Sequence, residues 1–356
     1  MIIGLGVDGR YGFSAAQHRE IARAAVARGF GSLWTNAVTI PDPFHVCALW
    51  AAAAAAEQPG RLRTGISVVS VRNWKPQSLA GQAATVGLLS GGQFTLGVGT
   101  GGASPGDRPI ATMADQLAVL RPLLSGQEVE YRGATMDFGR WKVGAPFPRV
   151  PVYLAALGPQ MLRLAGRAAD GAAMSFAPPD EIARAAELVA AGAAAAGRDR
   201  GDVALSMYIR VCVDEDPGLA RQALATTVLS YALARPGTDK KLAYRGLFAR
   251  LGFDEVLAGL EARREAGASL DELARAAPDD LLHAAGYFGT PAGAARRFAA
   301  LSAGLDEAIV RYVAARPGLE PLLATMDALA PAQVSAAAPG PAGGPGAAGP
   351  GRGAAG

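Results

Sequence analysis

Cysteine is nearly missing from this chain. Only Cys47 and Cys212 occur among 356 residues, with no CxxC pair and no Cys/His ligand spacing, so a disulfide framework and a zinc motif are both set aside. Histidine is equally scarce. His18, His45 and His283 stand far apart and share no motif, which leaves metal catalysis little to build on and no metal site to expect. No block of one charge sign occurs either: 34 basic and 31 acidic residues are interspersed, for a net +3. A nucleic-acid partner is therefore not expected. The mild basic excess would help attract an anionic small molecule, though a composition rich in arginine gives it by default. Long apolar runs are lacking too. The longest, "ALWAAAAAAE", is mostly alanine and closes at Glu57, too short to cross a bilayer. The start, "MIIGLGVDGR", has no charged n-region before its apolar residues, so no secretory signal is read and a cytoplasmic location is expected.

What the chain does have is a regular alternation. Short apolar runs of strand type are separated by longer alanine-rich stretches of helical period, the pattern of repeated βα units around a parallel sheet. Strands are predicted at Ile2 to Val7 and over "GSLWTN", "RLRTGISVVSV", "QFTLGVG", "VPVYLAAL", "DGAAMS", "VALSMYIRVCVD" and "LDEAIVRYV". Helices are predicted from the capping Ser14 to Ala27, after Asp42 and Pro43, from Pro76 to Leu89, from Ile110 to Leu124, and from Gly318 to Leu329. Two stretches interrupt the rhythm. "VEYRGATMDFGRW" reads as a hairpin or loop inserted after the fourth helix, and Pro217 to Ala285 as a helical insertion after the seventh strand. Eight strand–helix units imply an α/β fold closed as a (β/α)8 TIM barrel over residues 1–330, with a doubly wound open sheet as the alternative. From Pro331 to Gly356 the irregular Pro, Gly and Ala content offers almost nothing to pack, so a disordered tail is expected.

The densest chemical signal is "QFTLGVGTGG", Gln93 to Gly102, a strand that runs into bare backbone. Consecutive N–H groups uncovered by side chains form an anion-binding concavity, and glycine lets a phosphate approach to hydrogen-bonding distance. A dinucleotide fingerprint is not what this is, because that motif belongs to the first strand–helix turn. A plain glycine loop closing a barrel remains the alternative reading.

At this point the chain resembles the luciferase-like flavin and deazaflavin oxidoreductases of the bacterial luciferase superfamily. The likeness is carried by "SGGQFTLGVGTGG", by "VPVYLAALGPQMLRLAGRAADG" and by "FGTPAGAARRFAAL", and it points most closely to the reductases of methylenetetrahydromethanopterin that use coenzyme F420. The resemblance implies a cofactor at the C-terminal ends of the strands. Gly99, Thr100, Gly101 and Gly102 match the loop that holds its phosphate, and Ala155, Ala156, Gly158 and Pro159 match a second loop on the cofactor side. Gly65, Ile66 and Ser67 match a strand bulge behind the cofactor ring, with a non-prolyl cis peptide expected at Gly65–Ile66. A small-molecule substrate and a homodimer are further expectations of the likeness.

One departure bears on mechanism. Many deazaflavin relatives end the second strand in an Asp-His pair that touches the cofactor and moves a proton, where this chain has Asn36 and Ala37. Asn36 can still hydrogen-bond a ring, but neither residue can exchange a proton. Asp8 after the first strand is then the candidate acid or base. Tyr208, Arg210, Arg311 and Tyr312 are other residues at the mouth, and Arg72, Asn73 and Trp74, with Tyr208, are candidates for lining the substrate. The function expected is hydride transfer between F420 and a small carbonyl, imine or activated alkene. Two alternatives stand beside it: an FMN-dependent monooxygenase served by a separate flavin reductase, and a barrel that binds cofactor or metabolite without turnover.

Overall fold

Residues 1–37, 40–101, 106–234, 239–241 and 243–338 are described in the computed structural model. Among them are eleven strands: β1 (Ile2–Gly6), β2 (Ser32–Thr35), β3 (Arg63–Ser70), β4 (Phe94–Gly99), β5 (Val129–Arg132), β6 (Asp137–Trp141), β7 (Val152–Ala155), β8 (Gly171–Ser175), β9 (Ala204–Val213), β10 (Gly286–Gly289) and β11 (Glu307–Tyr312). Eight of them run parallel in the order β1-β2-β3-β4-β7-β8-β9-β11. β11 pairs back onto β1 in the register Ile2↔Glu307 to Gly6↔Arg311, so the sheet closes into a barrel and the open-sheet alternative falls away. The expected (β/α)8 TIM barrel is the fold found. One strand went unread: β10 pairs parallel with β9 over Arg210–Val213, on the edge that β8 leaves beyond the pair Ser175↔Tyr208, with Gly286 opposite Arg210. Four residues are too few for a periodicity to announce them.

Local chemistry sets the helix starts. Ser14 accepts from the Gln17 amide while the Gln17 side chain accepts from the Ser14 amide, a reciprocal cap for the helix Ala15–Arg28. Asp42 accepts from the amides of Phe44 and His45, with Pro43 in the first turn, to open Pro43–Glu57. The helices Pro76–Leu89, Pro109–Leu123 and Glu320–Ala328 fall where the sequence places them.

The barrel interior is filled by rings set against glycines. Trp34, Tyr153, Tyr208 and Ile309 form their own buried cluster inside the sheet, while the main core lies between sheet and outer helices. A Cβ at Gly65 would stand 2.5 Å from the Trp34 ring, so the third strand yields its side chain to the tryptophan. At the N-terminal end, the buried Glu307 accepts from Ser32 Oγ at 2.5 Å, from Trp34 Nε1 at 2.9 Å and from Arg63 Nη2 at 2.6 Å. The lower barrel is thereby packed shut, and function is left to the other end.

Both predicted insertions are present. β5 and β6 pair antiparallel as a hairpin, held to the helix Pro109–Leu123 by Asp115, which accepts from Tyr131 Oη and from the amide and hydroxyl of Thr135. The insertion after β9 contains the helices Pro217–Ala232, Ala243–Phe248, Asp254–Glu265, Leu270–Ala276 and Asp279–Ala285. These build a second core around Leu224, Val228, Phe248 and Leu257, and they share it with Phe176, Cys212 and Val313 at the C-terminal ends of β8, β9 and β11. Arg250 of this insertion also donates to the Leu157 carbonyl beyond β7 at 3.1 Å. The insertion thus covers one half of the barrel mouth. The tail boundary needs correction: Pro331–Ala337 is a helix whose Val334 is buried in the main core, so ordered chain continues past residue 330. Residues 339–356 lie outside the described residues.

Candidate functional site

At the C-terminal end of the barrel, the glycines of β4 face a defect in β3. The β3–β4 register runs Ile66↔Leu96 and then Val69↔Val98, so two residues of β3, Ser67 and Val68, oppose the single Gly97. A side chain at Gly97 would run into the Ile66 carbonyl and Val68, which is why bare backbone is required there. The Ser67–Val68 peptide is cis. The expected position, Gly65–Ile66, is therefore corrected by two residues. Gly65 faces the Trp34 ring and Ile66 is buried in the main core, so of that trio only Ser67 lies in the bulge.

Beyond the bulge the chain opens. Gly99 is buried, Thr100 half-buried and Gly101 exposed, and Ser70 Oγ donates to the Thr100 carbonyl at 3.2 Å to fix the ledge. Gly101 has φ +77°, and a Cβ there would lie 2.5 Å from Ser70 Oγ, so both conformation and space demand glycine. Gly102 lies outside the described residues. Around the rim, Ala155 and Gly158 are half-buried, and nothing stands within 4 Å of a Cβ placed on Gly158. Pro159 follows as the first residue of the helix Pro159–Ala168. Ala156 does not belong to this rim. It is buried in the main core and its amide is spent on the Ala173 carbonyl at 3.0 Å.

The opposite side of the mouth is charged. Asp8 accepts from the Arg10 amide at 3.0 Å and from Arg311 Nη2 at 2.7 Å, and also pairs with Arg10 Nε at 3.1 Å. Arg311 lies 4.9 Å above the Tyr208 ring. Tyr208 crosses the barrel floor to donate to the Thr35 carbonyl at 3.2 Å, and its burial pushes its phenol pKa well up, so it remains a neutral donor. Tyr208 is thus floor rather than rim. Next to Thr35, the Asn36 Oδ1 is buried and meets no hydrogen-bond partner among the described residues. Arg210 on β9 stands in register with Arg311 on β11 and is buried at 4% exposure. Its Nη1 donates to Ser175 Oγ at 2.5 Å, and its guanidinium lies 3.4 Å from the Phe176 ring centre and 5.0 Å from that of Tyr231. Burial lowers its pKa to about 10.

The remaining predicted residues are more peripheral. Arg72 pairs with Asp107, Asn73 is exposed, Ala37 is exposed, and Trp74 packs edge-on against Phe44 at 5.4 Å. The Tyr312 hydroxyl is buried without a partner among the described residues, on a ring packed against Tyr11. Reasoning from the sequence missed Ser175, Phe176, Tyr231 and Tyr244, which surround Arg210. Their only signal was an arginine inside the apolar run "SMYIRVCV", because a strand interior seldom carries a cation without a purpose. Among the described residues no group of three or more His, Cys, Asp or Glu could hold a metal ion, and no helix is long and apolar enough to cross a membrane.

The glycine ledge, the Asn36 amide oxygen and the two buried arginines thus gather at the C-terminal mouth of a (β/α)8 barrel, the end at which such barrels carry their functional groups. The model of the luciferase-like monooxygenase family matches residues 3–307, and the chain belongs to that family. It is similar to the 5,10-methylenetetrahydromethanopterin reductase of Methanolobus tindarius, with 28% identity over 306 residues, 83% of this chain and 89% of that protein. To the F420-dependent glucose-6-phosphate dehydrogenase of Mycobacterium tuberculosis it is 31% identical over 236 residues, 58% of this chain and 68% of that protein. The structure of the coenzyme F420-dependent tetrahydromethanopterin reductase of Methanopyrus kandleri shares the fold at a TM-score of 0.68 and 19% identity, covering 91% of this chain and 96% of that one.

Proposed function

We propose that this chain is a coenzyme F420-dependent oxidoreductase that moves a hydride between the deazaflavin and a small organic carbonyl, imine or activated alkene. One observation carries the reading: Asn36 Oδ1, without a hydrogen-bond partner among the described residues, and the glycine ledge at Thr100 and Gly101 share a mouth in a chain whose relatives include a 5,10-methylenetetrahydromethanopterin reductase and F420-dependent glucose-6-phosphate dehydrogenases. A buried acceptor without a donor is costly, and a ring N–H would satisfy it. The residues present fit such a group. The Thr100–Gly101 backbone offers an uncovered surface to a phosphate, while Ala155 and Gly158 leave room beside it. When bound, the deazaflavin supplies a two-electron carrier that reacts poorly with oxygen, and the protein supplies position and electrostatics.

The chain's own groups define the rest. Asp8 is held by two arginines and an amide, so it acts as a counter-ion for Arg311 and leaves the proton to solvent. Asn36 orients the ring without exchanging a proton. The insertion over residues 217–285 shields the β7-to-β11 side from water. Titration of the purified protein with F420 and, separately, FMN tests the reading, with cofactor fluorescence as readout. F420 is expected to bind and, when reduced, to be oxidised by a panel of small carbonyl compounds. Tight FMN binding with oxygen consumption in the presence of a flavin reductase would replace this reading by the monooxygenase one. F420 binding with no turnover would favour a carrier, and recovery of turnover in Asn36→Asp with Ala37→His would locate the loss.

A further inference from the structure

Arg210 is the most conspicuous group at the mouth that hydride transfer leaves unused. A buried guanidinium normally has a carboxylate beside it, because desolvating a charge without compensation is expensive. Among the described residues Arg210 has none: its partners are the Ser175 hydroxyl, the face of Phe176, and Tyr231, which offers it both a ring face and a side-chain hydrogen bond. Its neighbour in register, Arg311, shares the buried carboxylate of Asp8 with Arg10, and among the described residues Arg311 Nη1 is buried with no hydrogen-bond partner. Two guanidinium ions thus stand side by side on adjacent strands, and the carboxylate of Asp8 pairs with Arg311 and not with Arg210. The surroundings look built for Arg210. Phe176 takes φ +60° at the end of β8, a region that side chains larger than glycine rarely adopt, and its ring lies against the cation.

Position separates this charge from the glycine ledge. Around the closed barrel β11 lies four strands from β4 in either direction, and β9 three. A phosphate resting on Thr100 and Gly101 therefore leaves Arg210 and Arg311 on the far side.

We propose that Arg210, seconded by Arg311, is the anion-reading arm of the mouth, and that the substrate of this chain carries a carboxylate or phosphate group. The inference rests on the mouth being the active site, and it is specific to the side opposite the cofactor ledge. Guanidinium is suited to the task because its planar fork pairs with both groups through two parallel hydrogen bonds. Aromatic faces keep the cation in place while the side is vacant of anion, at the cost of burying an uncompensated charge.

The test uses the full chain without cofactor, titrated with inorganic phosphate and, separately, acetate at constant ionic strength, with thermal unfolding as readout. One of the two anions is expected to raise Tm saturably in the native protein. Arg210→Met should weaken that response about tenfold or more, while its own Tm stays level or rises because an unpaired buried charge is gone. Arg210→Lys, which keeps the charge but not the fork, should fall between, and it carries the test if the Met variant does not fold. Repeating the titration with F420 at saturation should leave the response intact. An absent response, an equal response in both variants, or an Arg210→Met protein that loses stability with its anion response unchanged would overturn the proposal, the last by making Arg210 a brace between barrel and insertion. Loss of the response when F420 binds would overturn it too, by giving the anion to the cofactor. A chain that binds the anion but neither F420 nor FMN would sink the proposed function and leave this inference standing.

Discussion

Asn36 carries an energetic burden that the proposed cofactor contact would relieve. Its amide oxygen is buried just past β2 without a donor among the described residues, and such a group costs the folded protein about 1–3 kcal/mol. Asn36→Ala is therefore expected to leave the free protein as stable or slightly more so, by urea denaturation. The same change should weaken F420 about two- to tenfold, the value of one neutral hydrogen bond; an unaltered affinity in the fluorescence titration would remove Asn36 from the cofactor contact. At this scale the sequence was a good guide to which residues reach the mouth and a poor one to which way they face. Asn36, Asp8, Arg311 and the Gly99–Gly101 ledge were readable from their places at strand ends. The cis bond was placed two residues early, because "TGISVV" does not say where the ladder slips, and the slip is set by Gly97 on the neighbouring strand. Asp8 carried the same ambiguity. As a sequence it is an acid after a strand, and only the convergence of Arg10 and Arg311 makes it a counter-ion.

Elements were legible in proportion to their length and pattern. The barrel strands are apolar on both faces, as parallel strands under helices must be, and most helices carry a proline or a capping side chain at their first turn. β10 had neither length nor pattern. The hairpin β5–β6 was recognisable from its alternation, but its anchor was not. Asp115, in the middle of a helix, accepts three hydrogen bonds from Tyr131 and Thr135. Asp115→Ala would leave those donors without their acceptor, at about 1–3 kcal/mol for each one that stays buried. The expected result is faster hydrogen exchange and proteolysis within residues 129–141 with little change in global Tm. A uniform loss of stability across the barrel would contradict the picture of a locally held flap.

For the whole molecule, burial of neutral acids predicts its response to alkali. Burial pushes the Cys212 thiol up to about 12 and the Tyr153 phenol up to about 12, and it raises Tyr208, Tyr312 and Cys47 as well. Each raised pKa means that the folded state keeps a proton the unfolded chain has released, so the stabilisation is whole below the unfolded pKa and is lost as pH rises through the folded one. Stability should begin to fall near pH 9, where free thiols titrate, and steepen past pH 10 as phenols join, by about 1.4 kcal/mol per pH unit for each group. Urea midpoints measured from pH 8 to 11 check this, and a flat profile would mean that these groups are wetter than their surroundings imply. The same interior shows where the sequence ceased to be sufficient. By itself it determined the repeated strand–helix units, the two insertions and the bare backbone after Val98, because periodicity, caps and glycine runs are properties of neighbouring residues, while closure of the sheet rests on the pairing of β11 with β1. Only the tertiary structure decided that Gly65 yields to Trp34, that the 217–285 insertion covers one half of the mouth, and that Arg210 is buried among Ser175, Phe176 and Tyr231. Those facts depend on side chains brought together from strands and helices far apart in the chain, and the spacing of one segment carries no information about the surface another will present to it.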